Sequence, residues 1–192
     1  MNINEFNKQF RVISLKSLLE TLGSKNQVRK VLKTFTCTLN KDLENFLHHK
    51  AITFEENLRA RTYLCLSNID QSLVAYYTIS ISAISAKKLD KDTLEFLNGY
   101  SDDIEIIPCY LIGQLGISDK YREYKLGKFI LGYAIETIEN IHSILGGRFI
   151  LLDAINHQKV IDFYKENDFL EIKYTNNQES ISMVKPFFTT KS

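Results

Sequence analysis

The sequence predicts an α+β protein, with a mixed, mostly antiparallel sheet and helices on both faces. Three observations carry that prediction. Residues 61–84 alternate and are rich in Val, Ile, Thr and Tyr, the pattern of an antiparallel hairpin. Leu126, Phe129, Ile130, Tyr133, Ala134, Thr137, Ile138 and Ile141 recur at the helical period and form a core-facing stripe. Apolar strand-like runs, 104–118 and 148–153, flank that stripe, and two strands joined by a helix pair in parallel.

Taken in order, residues Val12 to Thr21 are weakly apolar and fit either strand or helix. Asn26 caps a short predicted helix through Val28, Val31 and Leu32. A second helix starts near Asn40, with Leu43, Phe46 and Leu47 on one face and Ala51 a turn later. Arg61 to Ser67 and Leu73 to Ile84 form the hairpin strands around an Asn68–Gln71 turn. Asp90 caps a helix carrying Leu94 and Leu97. The strand from Ile104 to Ser118 has Pro108 at its entrance or at an edge. The long helix stops at Gly146-Gly147, and Arg148 to Asp153 follows as a short central strand. Asn156 to Asn167 is read as a helix with Val160, Phe163 and Tyr164 on its apolar side. Phe169–Tyr174, a turn at Asn176-Asn177 and Ser180–Lys185 make a closing hairpin.

The 192 residues fit one domain, 1–192, with the first 30 as an N-terminal extension. With 24 basic and 23 acidic residues, no global field attracts nucleic acid, and any such binding needs a local patch. Lys25, Arg29, Lys30, Lys33, Arg59 and Arg61 are the cations from which such a patch could be built; scattered solvated charges are the blander reading. Cys37, Cys65 and Cys109 lie far apart, with no metal-ligand spacing, so the expectation is no metal and reduced thiols. No signal core and no membrane-length apolar segment is visible, and a cytoplasmic location is expected.

The segment from Pro108 to Leu131 is the chemically suggestive one: a strand, a basic turn ending in glycine, and then a helix. Such a junction aims orphan amides and the positive end of the helix dipole at an anion. It is not a P-loop, since no GxxxxGK[ST] occurs, and Gly113 and Gly116 lie too early for a dinucleotide fingerprint. Alone, the turn reads as solvated basic sequence before an amphipathic helix. Tyr164 alone reads as a core aromatic, His48 and His49 as surface or boundary histidines, and His142 as a partner of a helix C-terminus.

Arg122-Glu-Tyr-Lys125-Leu-Gly127 nevertheless resembles the cofactor signature of the GNAT superfamily of acyl-CoA N-acyltransferases, with Lys125 standing where that family has its first glycine. About thirty residues on, Asn156 and the run Phe163-Tyr164 to Asp168-Phe169 resemble the family's C-terminal pattern, with Asp168 in place of a glycine. Phe35-Thr-Cys37, Leu43 to Leu47, Arg59 to Leu64 and Val74 to Ser80 are similar to the toxins of toxin–antitoxin pairs within that family. The likeness covers residues 32–185.

The resemblance implies a GNAT-like sheet with a splayed parallel strand pair and acetyl-CoA as co-substrate. Backbone groups around Leu115, Gly116 and Ile117 would pair with the pantetheine arm. Amides of Arg122, Glu123, Tyr124, Lys125, Leu126, Gly127 and Lys128 would hold the pyrophosphate, and Asn156 would bond the pantetheine. Tyr164 would protonate the departing thiolate. The acceptor is a primary amine, with the aminoacyl end of a tRNA suggested by the toxin likeness. A small-molecule amine, a protein N-terminus, or a degenerate acyl-CoA-binding regulatory module are the alternatives. A DNA-binding antitoxin and a homodimer are the further partners expected, residues 1–30 covering the acceptor side or joining two subunits.

Overall fold

The computed structural model describes residues 1–98, 104–174 and 180–188. In chain order these form α1 (Ile3–Gln9), β1 (Phe10–Ser14), α2 (Leu15–Leu22), α3 (Lys25–Leu32) and α4 (Lys41–Asn45). A π-turn (Phe46–Lys50) joins α4 to α5 (Ala51–Glu56). Then come β2 (Arg61–Ser67), β3 (Leu73–Ser85), α6 (Lys91–Asn98), β4 (Ile106–Ile117), a 3₁₀ turn (Asp119–Tyr124) and α7 (Gly127–Leu145). The chain continues through β5 (Phe149–Ile155), α8 (Gln158–Lys165), β6 (Leu170–Glu171) and β7 (Ser180–Pro186).

The strands hydrogen-bond in the order β1-β2-β3-β4-β5-β7-β6. Among the described residues, β1·β2, β2·β3, β5·β7 and β6·β7 pair antiparallel, and β4·β5 pairs parallel. The fold class is therefore the expected one. The parallel register covers only Tyr110↔Ile150 and Leu111↔Leu151, although β4 runs on to Ile117 and β5 to Ile155.

Two compact units make up the chain: residues 1–80 with 114–137, and residues 81–113 with 138–192. In the first, Leu15, Val28, Leu32, Phe35, Leu47, Leu64 and Tyr76 form the fully buried centre of one apolar cluster. The region that fitted strand or helix equally contains both, because Ser14 ends β1 and its side chain caps α2 at Ser17 N. Phe6 of α1 is fully buried and stacks on Phe129 with centroids 5.0 Å apart. The helix expected from Asn40 starts there, the Asn40 side chain accepting from Asp42 N, but a π-turn at Phe46–Lys50 interrupts it.

In the second unit Leu97, Phe149 and Val184 are fully buried among Ile84, Ile107, Cys109 and Leu151. Asp90 caps α6 by accepting from Thr93 N at 2.8 Å. Gly146 and Gly147 end α7 at φ 75° and 140°, values that a side chain rarely adopts. The last helix is shorter than expected: His157 is its N-cap residue and it closes at Lys165. The closing hairpin has only two residues in β6, and its expected Asn176-Asn177 turn lies outside the described residues. Cys65 and Cys109 are buried, and burial pushes both thiols up to about 12.

Candidate active site

In the first unit, the end of β4 is tied down before the 3₁₀ turn begins. Ser118 N donates to the Val74 carbonyl and Asp119 N to the Thr36 carbonyl, both at 2.8 Å. The Asp119 carboxylate accepts from Thr38 N at 3.0 Å and also pairs with the Arg122 guanidinium. The turn therefore starts from a fixed anchor on the segment around Phe35. The Phe35-Thr-Cys37 likeness marked that segment, but nothing in it showed that Thr36 and Thr38 would serve the turn.

Within the turn, Tyr121 is buried and its hydroxyl lies 2.6 Å from Ser72 Oγ. Tyr124 is exposed and meets Phe10 edge-on. Lys125 takes φ 52°, ψ 45°, the left-handed well that glycine occupies without penalty. A lysine there costs about 1–2 kcal/mol, but the turn is formed. The Lys125 N–H is used inside it, donating to the Arg122 carbonyl at 3.1 Å. Of the amides from Arg122 to Lys128 expected to hold the pyrophosphate, that of Lys125 is thus turned inward, as the donors of a 3₁₀ turn commonly are. Among the described residues, the N–H groups of Leu126, Gly127 and Lys128 have no backbone acceptor, while Phe129 N and Ile130 N bond the Leu126 carbonyl. Three orphan donors at the head of a 19-residue helix suit a diphosphate.

Leu115, Gly116 and Ile117 form the last turns of the β4 zigzag, Gly116 buried and its neighbours half-buried. A Cβ at Gly116 would meet Phe35 at 3.1 Å and Leu43 and Tyr76 at 3.2 Å. The glycine there makes room for this apolar packing. The Tyr76 ring stands edge-on to Phe35, and its hydroxyl donates to the Leu43 carbonyl at 2.7 Å. The π-turn carries His48, whose Nε2 lies 2.9 Å from the Phe35 carbonyl, a contact with no signature in the sequence.

In the second unit, Asn156 is exposed at the bend between β5 and α8. Tyr164 is buried near the end of α8, its ring edge-on to Phe163 and Phe169. Burial pushes its phenol up to about 12. Among the described residues its hydroxyl makes no hydrogen bond. Asp168 adopts φ 67°, and its N–H bonds the Lys165 carbonyl at 3.1 Å. It occupies the left-handed cap position expected of the glycine it replaces, and Lys185 Nζ sits 3.1 Å from its carboxylate. His142 Nε2 donates to the Gly147 carbonyl beyond the end of α7, 3.0 Å away, and the ring stacks on Phe187. No group of three His, Cys, Asp or Glu among the described residues could hold a metal.

No protein-family model and no curated protein matches the sequence. Solved structures do match it. AtaT complexed with acetyl-methionyl-tRNAfMet has a TM-score of 0.68 at 18% identity, covering 92% of this chain and 94% of that one. A Tyr-to-Phe mutant of KacT gives 0.70 at 16% identity, over 93% and 95% of the two chains. AtaTR bound with acetyl-CoA gives 0.70 at 18% identity, over 93% and 94%. The chain has the GNAT fold. At such identities the likeness speaks to the path of the backbone, and the chemistry has to come from the residues themselves. Within the GNAT fold, the two glycine replacements, Lys125 and Asp168, keep the left-handed turns that a glycine would supply.

Proposed function

We propose that this chain is an N-acetyltransferase that moves the acetyl group of acetyl-CoA to a primary amine, and that the amine is the α-amino group of an aminoacyl-tRNA. The observation that carries the first half is the three unpaired amides of Leu126, Gly127 and Lys128 at the head of α7, in a GNAT fold. They supply directed donors for the pyrophosphate, and the backbone of Leu115 to Ile117 supplies a strand edge for the pantetheine arm. Asn156 is the side chain assigned to the pantetheine amides. A GNAT-fold neighbour, AtaTR, was solved with acetyl-CoA bound, which supports the same donor here.

Tyr164 is assigned the leaving-group proton. The amine nitrogen attacks the thioester carbonyl, the C–S bond breaks, and the phenol proton passes to sulfur. The proton lost by the amine is the one that restores the phenol through solvent. A phenol at about 12 is a weaker acid than a thiol at about 8.5, so this transfer is uphill by about 5 kcal/mol. That is a minor part of the barrier of about 16 kcal/mol that corresponds to about ten turnovers per second. Neighbours solved as Tyr-to-Phe mutants, of AtaT and of KacT, support a tyrosine as the group of interest.

Two observations favour the aminoacyl-tRNA acceptor. The near-neutral total charge is unevenly divided: the first unit has 15 Lys and Arg against 10 Asp and Glu, the second 9 against 13. A polyanion is drawn to the first unit, which also holds the proposed phosphate turn. AtaT, moreover, was solved with acetyl-methionyl-tRNAfMet. An aminoacyl ester also lowers its amine below the usual 7.7–8.0 of an α-amino group, which relaxes the need for a general base. By the same analogy the chain takes a DNA-binding antitoxin as partner, since AtaT was solved with the C-terminus of the antitoxin AtaR and as an AtaT–AtaR complex bound to DNA. Among the described residues, no helix is long and apolar enough to cross a membrane.

Labelled acetyl-CoA offered with aminoacyl-tRNA, a free amino acid amide and a short peptide tests this reading. Label is expected on the tRNA-linked amino acid at a rate at least about tenfold above the other amines. Transfer to the amide or peptide alone would replace the acceptor and keep the enzyme. No transfer to any amine, with acetyl-CoA still bound, would leave a binding module.

A further inference from the structure

We propose that the side chain of Lys125 is a phosphate-binding group of the acetyl-CoA turn, so that an ammonium here does the work that close main-chain approach does at a glycine. This inference rests on the acetyl-CoA reading above and refines one residue of it.

Four cations surround the turn: Lys120, Arg122, Lys125 and Lys128. Two are already neutralised. Lys120 Nζ lies 2.7 Å from Asp70 Oδ2, and the Arg122 guanidinium is paired with Asp119, whose carboxylate is itself held by Thr38 N. Lys125 and Lys128 are exposed and, among the described residues, form no ion pair. The turn's other carboxylate, Glu123, is exposed and also forms no ion pair among the described residues. The two uncommitted ammonium groups thus belong to the residues that bracket Leu126 and Gly127, beside the three unpaired amides.

Lys125 is distinguished from Lys128 by its backbone. It sits at φ 52°, ψ 45°, where glycine is the less strained residue. Its N–H is spent on the Arg122 carbonyl, so its main chain has no donor to offer a ligand. If only turn geometry mattered, a glycine would serve better and a lysine would be a liability. What the lysine adds is a mobile positive charge at a place where directed donors already converge. A phosphate held by amides gains further from a charge-assisted hydrogen bond to an ammonium.

The test is calorimetric titration of the full chain with acetyl-CoA and with acetyl-pantetheine, which lacks every phosphate, for wild type, Lys125→Gly and Lys125→Arg. Thermal unfolding of the unliganded proteins accompanies it. Lys125→Gly is expected to raise Tm by about 2–4 °C, because the strain is relieved. It is also expected to weaken acetyl-CoA binding about tenfold and leave acetyl-pantetheine binding unchanged. Lys125→Arg is expected to keep most of the affinity for acetyl-CoA, and high salt is expected to narrow the gap between wild type and Lys125→Gly. A more stable Lys125→Gly protein that binds acetyl-CoA as tightly as wild type, or more tightly, overturns the inference and leaves the acetyl-CoA reading standing. A wild-type chain that binds no acetyl-CoA removes that reading, and this inference goes with it.

Discussion

At the scale of single residues, the proposed chemistry depends on the environment of one hydroxyl. Tyr164 is packed between Phe163 and Phe169 and its phenol is pushed up to about 12 by burial. The charged form is the one penalised, so the group stays protonated throughout the working range. The kcat profile is therefore predicted to show no descending limb up to pH 9.5; a limb with a midpoint at or below 10 would assign an unshifted group. Any ascending limb belongs to the acceptor amine. The role of Asp168 as a left-handed cap was legible, because Asp tolerates that well; that Lys125 also takes the left-handed well was not, because a lysine rarely adopts it. Nor was the division of donors within the turn. Which amides a 3₁₀ segment spends on itself depends on where it ends, and spacing alone does not fix that.

At the scale of elements, the β4 edge is shaped by aromatic packing. Gly116 leaves only 3.1–3.2 Å between a would-be Cβ and Phe35, Leu43 and Tyr76. These neighbours are held in turn, Phe35 and Tyr76 by burial and Tyr76 by its bond to the Leu43 carbonyl. Gly116→Ala is predicted to cost about 1–3 kcal/mol, read as a Tm lowered by about 2–12 °C. An unchanged Tm would mean that the rings yield freely. The hairpin, the long helix and its double-glycine stop were legible because their periodicities are long and their punctuation strong. α8 was placed too generously at both ends, since the asparagine before it and the one after it are both good boundary residues. The π-turn at Phe46–Lys50 had no signature at all. It keeps Leu47 buried and sets His48 against the Phe35 carbonyl, contacts that only tertiary packing decides.

At the scale of the whole molecule, the two units interleave along the chain, with β3, β4 and α7 each passing from one unit into the other. No linker composition marks such a division, which is why it was invisible in the sequence. The same division shows that a net charge of +1 conceals a basic unit and an acidic one. Stability is predicted to be sensitive to alkali. Cys65, Cys109 and Tyr164 are pushed up to about 12, and Tyr76 and Tyr77 are raised still further by burial. The unfolded chain releases these protons first, near 8.5 for thiols and 10 for phenols, so it binds fewer protons than the folded chain above those values. Stability should hold below about pH 8.5 and then fall by about 1.4 kcal/mol per pH unit for each group titrated in the unfolded state. A Tm that stays constant between pH 8 and 10.5 would contradict the burial of these groups. The acyl-transfer account as a whole is tested most directly by one paired measurement on Tyr164→Phe: kcat for thiol release in the presence of aminoacyl-tRNA, set against the Kd for acetyl-CoA. The account predicts kcat lowered at least about a hundredfold with Kd changed by less than about threefold; an unchanged kcat would contradict it.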